Sequence, residues 1–338
     1  MSGESVAQDA GGRGRIRRPA SLDLRAVAPF VALALLLVLG AVSSDRFLTL
    51  GNMLNVATQS AFIAIIAVGA TFVITAGGLD LSVGSMVAFV ASLMILFLNT
   101  GLIASPALFL LVAVAMAMAM GAACGFGNGI IITKGGIEPF IATLGTMGIF
   151  RGLTTWLSQG GAISLNSMDM QNILRPVYFG NVAGVPVPVI MIFVVAGIGA
   201  FLLNRTGYGR HVAAVGSNED VARYSGISVS RVRIITYVLQ GLCVSIAVIL
   251  YVPRLGSTTA TTGLMWELQA ITAVIIGGTA LTGGVGRIWG SICGAFILEI
   301  VGNIMVLSNY ASEYLIGAIQ GTIIIIAMLV QRSLIRKS

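Results

Sequence analysis

Long runs of apolar residues, separated by short polar stretches, fill the chain from about residue 26 to residue 331. Most of these runs approach the ~20 residues that an α-helix needs to cross a bilayer. The pattern predicts ten membrane-spanning helices, at about 26–42, 53–76, 83–99, 104–132, 139–158, 187–204, 233–252, 267–281, 289–307 and 312–331. The predicted fold is therefore all-α, that of a polytopic membrane protein.

Three of the runs carry further expectations. The run at 26–42 is longer than the apolar region of a signal peptide and is interpreted as a retained span. The run at 267–281 is short, so we expect a tilted or broken helix. The run at 104–132 is long, and its glycine-rich end is expected to bend.

Composition and charge support a membrane fold and give it an orientation. Only 9% of the residues are charged and 57% are hydrophobic, whereas soluble domains carry about 25% charged residues. With the N-terminus inside, 15 of the 19 Lys and Arg residues fall on the cytoplasmic side, three fall outside, and Arg151 falls within a span. Because cytoplasmic loops collect Lys and Arg, both termini are predicted to be cytoplasmic.

The chain is divided into a tail and one domain. Residues 1–25, which include five arginines, are predicted to form a flexible cytoplasmic tail. Residues 26–338 are predicted to form the transmembrane domain, with a cytoplasmic loop at 205–232. In that loop, glycines are expected to loosen the chain, at Gly207, Gly209 and Gly216.

A short surface helix is predicted within this loop, at 217–226. Ser217 fits the N-cap, Asp220 lies three residues later as in a capping box, and Gly226 fits the C′ position. Two interpretations stay open from these residues alone. The segment is either a solvated loop helix or a helix that docks into a cytoplasmic protein.

A double glycine followed by an acid interrupts the apolar pattern at Gly77, Gly78 and Asp80, and Gly277 and Gly278 form a faint internal echo. The glycines are expected to end one helix, and Asp80 or Ser82 is expected to cap the next. A cation or proton site at Asp80 is the alternative. Later in the chain, Glu267 lies beside Trp266, as an interfacial acid and aromatic would.

Glu299 is the acid that stands out, because it falls near the middle of the ninth predicted span. It shares a helix face with Ala295, Gly302 and Asn303. A carboxylate at this depth is a functional-site candidate, which makes Glu299 and Asn303 candidate residues of a translocation path. A protonated acid, an arginine partner, a watery path and a buried contact between helices all stay open.

Chemistry of the enzymatic kind is not indicated. Neither Lys134 nor Lys337 lies in an ATP-binding motif. The residues suggest no hydrolytic set and no bound cofactor or metal. The three cysteines, Cys124, Cys243 and Cys293, lie in apolar runs and are interpreted as packing residues.

Four segments resemble one known family. Residues 77–85 resemble the GG(I/L)DLSVGS signature of ribose-type permeases, and residues 138–147 are similar to that family's P-F-I-x-T-L-G-T/M stretch. Residues 209–227 look like its cytoplasmic coupling loop, and 277–286 look like its glycine-rich element near the end. These permeases are the membrane subunits of bacterial ABC importers for pentoses, hexoses and related compounds.

The resemblance implies partners and a location. It implies a bacterial cell (inner) membrane protein that pairs with a second permease copy, a cytoplasmic ATPase with tandem cassettes and an extracytoplasmic solute-binding protein. The partner ATPase, and not this chain, uses ATP. An ion-coupled secondary transporter that uses Asp80 or Glu299 is the alternative. The coupling residues implied are Gly216, Ser217, Asn218, Glu219, Asp220, Ala222, Arg223, Tyr224, Ser225 and Gly226. The helix-break motif comprises Gly77, Gly78, Asp80, Ser82, Gly84 and Ser85.

Overall fold

The computed structural model describes residues 24–103, 105–308, 315, 317–319, 321–322 and 325. Its helices are α1 (Leu24–Ser43), α2 (Leu50–Thr75), α3 (Val83–Asn99), α4 (Pro106–Gly135), α5 (Pro139–Leu157), α6 (Met168–Phe179), α7 (Val187–Arg205), α8 (Gly207–Ser217), α9 (Glu219–Tyr224), α10 (Val229–Leu255), α11 (Trp266–Ile276) and α12 (Ile288–Ser308). Short strands are β1 (Ala162–Ser164), β2 (Asn181–Val182), β3 (Val185–Pro186) and β4 (Ser257–Thr259).

Helices occupy nine of the ten stretches predicted to span the membrane. Within the described residues, five of them (α2, α4, α7, α10 and α12) are long and apolar enough to cross a bilayer, and the apolar parts of α1, α3 and α11 are shorter. The predicted span at 312–331 lies largely outside the described residues, as does nearly all of the predicted tail at 1–25. The run at 267–281 is helical only as far as Ile276.

The centre of the bundle is the packing of α10 against α4 and α2. A Cβ on Gly121 would lie 2.3 Å from the Gly241 carbonyl oxygen, and one on Gly125 would lie 2.1 Å from that of Tyr237. Because glycine has no side chain, the two backbones approach closely. Helix α4 is one helix of 30 residues whose glycines serve this contact, and the expected bend at its end stays a prediction.

Glycines also hold α12 against α11. A Cβ on Gly290 would lie 1.9 Å from the Gly277 carbonyl oxygen, and one on Gly294 would lie 2.0 Å from that of Ala273. The three cysteines are free and buried among the helices, which confirms their interpretation as packing residues.

The bundle has two distinct ends. At one, which we call the α9 end, lie α8, α9 and the loops 76–82 and 277–287. At the other, the β1 end, β1 pairs antiparallel with β4 and α6 packs against α10. Arg254, near the last residue of α10, lies over the rings of Phe62 and Tyr178 at 5.3 and 5.7 Å from their centroids. Helix α10 therefore connects the two ends.

Candidate functional site

The predicted cytoplasmic loop at 205–232 contains two helices, α8 and α9, where one short helix was predicted. Ser217 is the last residue of α8, where its hydroxyl donates to the Ala213 carbonyl at 2.8 Å. Asn218 is extended and caps α9, because its Oδ1 accepts from the N–H of Val221 at 2.9 Å. The prediction of Ser217 as the N-cap is therefore wrong by one residue.

The end of α9 follows the predicted geometry. Gly226 has a φ of 79°, which favours glycine because it carries no Cβ. Its N–H donates to the Arg223 carbonyl, and the N–H of Ile227 donates to that of Ala222, both at 3.0 Å. The assignment of Gly226 to the C′ position is confirmed, and the chain leaves α9 in a fixed direction toward α10.

An ion-pair network joins α9 to α10. Glu219 Oε1 lies 2.7 Å from Arg223 on the next turn of α9, and Oε2 lies 2.7 Å from Arg233 of α10. The Arg233 side chain is 23% exposed, against 66% for that of Arg223. Because a less exposed charge is screened less by salt, the ion pair with Arg233 is the less salt-sensitive of the two.

The outer face of α9 presents apolar side chains at the surface. Tyr224 is 92% exposed and Val221 is 60% exposed, whereas Ala222 is buried against the bundle. Asp220 and Ser225 are exposed on the same helix. Helix α9 thus presents a tyrosine and a valine side by side at the surface, and its docking role stays a prediction.

Helix α8 is packed tightly, so its glycines do not loosen the chain as expected. A Cβ on Gly216 would lie 1.8 Å from the Thr75 carbonyl oxygen at the end of α2, and one on Gly209 would lie 2.0 Å from that of Leu203. Tyr208 stacks on Phe72 of α2, and burial raises the pKa of its hydroxyl well above the ordinary range.

The helix break after α2 is built from hydrogen bonds. Gly77 has a φ of 78°, and Gly78 donates to the Val73 carbonyl at 2.9 Å, which ends α2. Asp80 Oδ1 accepts from the N–H and the hydroxyl of Ser82 at 2.9 and 2.6 Å. Ser82 holds the N-cap position of α3, but its side chain makes no capping bond. Ser82 is thus the N-cap residue of α3, as predicted, but its hydroxyl does not cap the helix.

Asp80 is buried, with 5% exposure. Asn128 of α4 donates to Ser82 Oγ at 2.9 Å, and Ser85 donates to the Ser82 carbonyl at 2.8 Å. Asp80 Oδ2 and Asn128 Oδ1 have no hydrogen-bond partner among the described residues. The arrangement keeps open both a purely structural role for Asp80 and the cation or proton site considered from the sequence.

The first turn of α3 meets the start of α11 inside the bundle. A Cβ on Gly84 would lie 2.1 Å from the Gly263 carbonyl oxygen and 2.3 Å from Glu267 Oε2. Met265, which precedes α11, has a φ of 69°, a strained value for a residue other than glycine. Glu267 is only 8% exposed. Glu267 is therefore not a surface acid, because its carboxylate packs against the first turn of α3.

Arg151 is the residue of this region that sequence reasoning left without a role. It lies on α5, and its Nη1 donates to the carbonyl oxygens of Ala260 and, at 2.7 Å, of Thr262. Its only signal in the sequence was its position within a predicted span.

Glu299 and Asn303 have different surroundings. Glu299 is partly buried, and no ion pair within 4.0 Å joins it to Arg254 or to another described residue. Asn303 forms two reciprocal hydrogen bonds of 2.9 Å with Asn52 of α2. Asn303 thus contacts a neighbouring helix, and its role in a path stays a prediction.

The described residues contain no group of three or more His, Cys, Asp or Glu side chains that could hold a metal ion. The predicted coupling residues lie together at the α9 end, and the helix-break residues lie next to them, further inside the bundle.

Comparison with known proteins identifies the family. Residues 52–328 match the family described as branched-chain amino acid transport system / permease component. The chain is 38% identical over 304 residues to the ribose import permease protein RbsC of Escherichia coli (strain K12), covering 89% of this chain and 91% of that protein. It is 38% identical over 309 residues to RbsC of Bacillus subtilis (strain 168), covering 91% and 93%. It is 33% identical over 295 residues to the D-allose transport system permease protein AlsC of E. coli (strain K12), covering 87% and 88%.

The resemblance to ribose-type permeases is thereby confirmed. These relatives are permease proteins of transport systems and not enzymes, which agrees with the apolar helices of the bundle. The chain belongs to this family of ABC transporter permeases and is a multi-pass membrane subunit.

Proposed function

We propose that this chain is the membrane-spanning permease subunit of a bacterial ABC importer for a monosaccharide or a related small polar solute. The observation that carries the proposal is the capped helix α9, which presents Tyr224 and Val221 at the end where the glycine motifs meet. The relatives support the substrate class, because they are named for the import of ribose and fructose and for the transport of D-allose.

The proposed topology has ten spans, with both termini and the α9 end in the cytoplasm of a bacterial cell whose inner membrane holds the protein. The distribution of Lys and Arg supports this orientation. Single cysteines at Ser225, near the end of α9, and at Asp45, between α1 and α2, would test it in intact cells, since both sites are exposed. An impermeant thiol reagent should label Asp45→Cys and spare Ser225→Cys.

The proposed partners occupy opposite ends of the bundle. A cytoplasmic ATPase with tandem cassettes receives α9, and an extracytoplasmic solute-binding protein docks on the loops near 159–186 and 253–266. Two permease copies pair, and the solute passes along their shared interface. ATP is hydrolysed by the partner, so this chain binds no cofactor.

The proposed mechanism is alternating access driven by the ATPase. Closure of the nucleotide-binding subunits pushes on α9, and the ion pair between Glu219 and Arg233 carries the displacement to α10. Two permease copies then rock, and the solute is released inside. An ion-coupled carrier is not favoured, because the relatives are ABC import permeases.

Co-purification from the native host in mild detergent tests the proposal. The expected result is capture of a dual-cassette ATPase and a solute-binding protein. In the reconstituted complex, Gly226→Pro and Arg223→Glu should abolish uptake while leaving insertion intact, because both alter α9. Arg46→Glu, which reverses an exposed arginine between α1 and α2, is the control. A permease that transports without ATP would overturn the proposal.

A further inference from the structure

Arg151 and Glu267 lie at a similar depth inside the bundle. At 1.5 Å per residue, Arg151 is about 18 Å along α5 from Pro139, and Glu267 is about 15 Å along α11 from Gly277. Gly277 belongs to the α9 end, and α5 begins beside that end, because the Thr143 hydroxyl in its second turn donates to the Leu79 carbonyl at 3.5 Å. A charged side chain at such a depth is costly and marks a functional site by default.

The two side chains form an incomplete polar site. Arg151 donates through Nη1 to the carbonyl oxygens of Ala260 and Thr262, which orient its guanidinium group. Gly263, the residue after Thr262, lies against Gly84 together with Glu267 Oε2, and no ion pair within 4.0 Å joins Arg151 and Glu267 among these described residues. Glu267 is 92% buried, and its Oε2 has no hydrogen-bond partner. An acceptor that is left unpaired at this depth costs free energy, which a donor brought by a bound solute would offset.

The surface around Arg151 is open. Gly148 and Gly152 lie on either side of it along α5, are exposed, and have no other group within 4 Å of an ideal Cβ. Thr261 and Leu264 are exposed on the adjoining segment. In the importer proposed above, this exposed surface of α5 faces the path between the two permease copies.

We propose that Arg151 and Glu267 form a binding site for a neutral, polyhydroxylated solute on the transport path. This proposal rests on the function proposed above and names the contact that the permease itself makes with the solute. The guanidinium group supplies donors, and the carboxylate supplies an acceptor, so together they match hydroxyl groups that both accept and donate. Because the two charges are opposite, the site favours a neutral solute over an ion.

The glycines suit a path between two copies. An exposed α5 face without side chains at Gly148 and Gly152 leaves room for a solute beside the guanidinium group. The second permease copy closes the site from the other side, so that each copy contributes one arginine and one glutamate to the shared path.

Uptake by the complete transporter in liposomes tests the residues. The assembly contains the permease pair, the ATPase and the binding protein, and the probes are D-ribose, D-allose and D-fructose. Glu267→Gln and Arg151→Met should each lower uptake at least about tenfold, the effect of losing hydrogen bonds to charged groups. Arg151→Lys, which keeps the charge, should retain part of the rate. Basal ATP hydrolysis should change less than about twofold.

The controls are Asp45→Asn and Arg46→Met, two exposed charged neighbours between α1 and α2. Both should transport at the wild-type rate. If the wild-type assembly imports none of the probes with ATP, the proposed function fails. If it imports one and both site variants match its rate, the binding site alone is overturned.

A labelling experiment avoids any change to the charged pair. Thr261→Cys places a thiol on the exposed segment, whereas the three native cysteines are buried. A small hydrophilic thiol reagent should label it, and the transported sugar should slow labelling at least about threefold, the protection expected at twice the sugar's dissociation constant. A thiol that stays unlabelled, or one protected by the sugar acid D-gluconate and not by the sugar, would overturn the proposal.

Discussion

The N–H of Gly284 donates a hydrogen bond of 2.9 Å to the carbonyl oxygen of Thr75. Gly216 of α8 lies against the same carbonyl, and a Cβ on it would be 1.8 Å from the oxygen and 2.7 Å from the Gly284 nitrogen. One carbonyl at the end of α2 thus joins three segments that are far apart in sequence. The coupling region is fixed to the core of the bundle at this point.

Gly216→Ala tests this junction. Because backbone atoms cannot move aside as a flexible side chain can, we expect the variant to lose about 3 kcal/mol of stability, the upper range for overpacking. Thermal unfolding of the purified protein in detergent measures the loss. Gly197→Ala in α7 is the matched control, since no other group lies within 4 Å of its ideal Cβ. Equal unfolding temperatures for the two variants would contradict the junction.

The capping residue of α9 gives a second prediction. Asn218→Ala removes the bond to the Val221 N–H, at a cost of about 1 kcal/mol or about a fivefold change in an equilibrium constant. Amide hydrogen exchange within α9 should accelerate by that factor. Ser217→Ala should leave the exchange of α9 unchanged, because the Ser217 hydroxyl bonds back into α8. Faster exchange in Ser217→Ala alone would restore Ser217 as the cap.

The bond between Glu219 and Arg233 is expected to show as an energetic coupling. Glu219→Ala and Arg233→Ala should each destabilise α9. The loss of stability in the double variant should be smaller than the sum of the two single losses by about 0.5–1 kcal/mol. Hydrogen exchange of α9 at low and high salt measures the coupling, which should shrink at high salt. Strict additivity at low salt would show that the pair seen at 2.7 Å carries no coupling.

The paired amides of Asn52 and Asn303 are expected to stabilise the contact between α2 and α12. Asn303→Ala leaves the Asn52 amide with one bond, to the Phe47 carbonyl at 2.8 Å. A double-mutant cycle with Asn52→Ala should give a coupling of about 1 kcal/mol in thermal unfolding. A transport defect without loss of stability would instead favour the path role considered for Asn303.

Hydropathy predicted where most helices lie, because the bilayer requires long apolar runs. The cap of α9 was misplaced by one residue, since Ser217 and Asn218 are both good caps and local sequence does not choose between them. Both double glycines end a helix with one residue of positive φ, but that residue is the first glycine of one pair and the second glycine of the other. Gly77 has the positive φ at the end of α2, whereas Gly278 has it, with a φ of 82°, at the end of α11.

The site at Arg151 and Glu267 was out of reach of the same reasoning. Glu267 follows a tryptophan at the start of an apolar run, so it had the appearance of an interfacial acid. Its depth depends on residues 257–265, which enter the bundle without being helical, and apolar length carries no information about such a segment. The bonds from Arg151 to Ala260 and Thr262 join residues more than 100 positions apart, a relationship that a single sequence does not record.

Helix α10 runs for 27 residues between the two ends of the bundle. Near its first turn Arg233 meets Glu219, and near its last turn Arg254 lies over the rings of Phe62 and Tyr178. A stiff element fastened at both ends transmits displacement in either direction. Because coupling between two binding events is reciprocal, any change that α9 makes in the affinity at the β1 end must equal the change that the β1 end makes at α9. In the proposed importer, α10 would thus couple the docking of a loaded solute-binding protein at the β1 end to the ATPase at the α9 end.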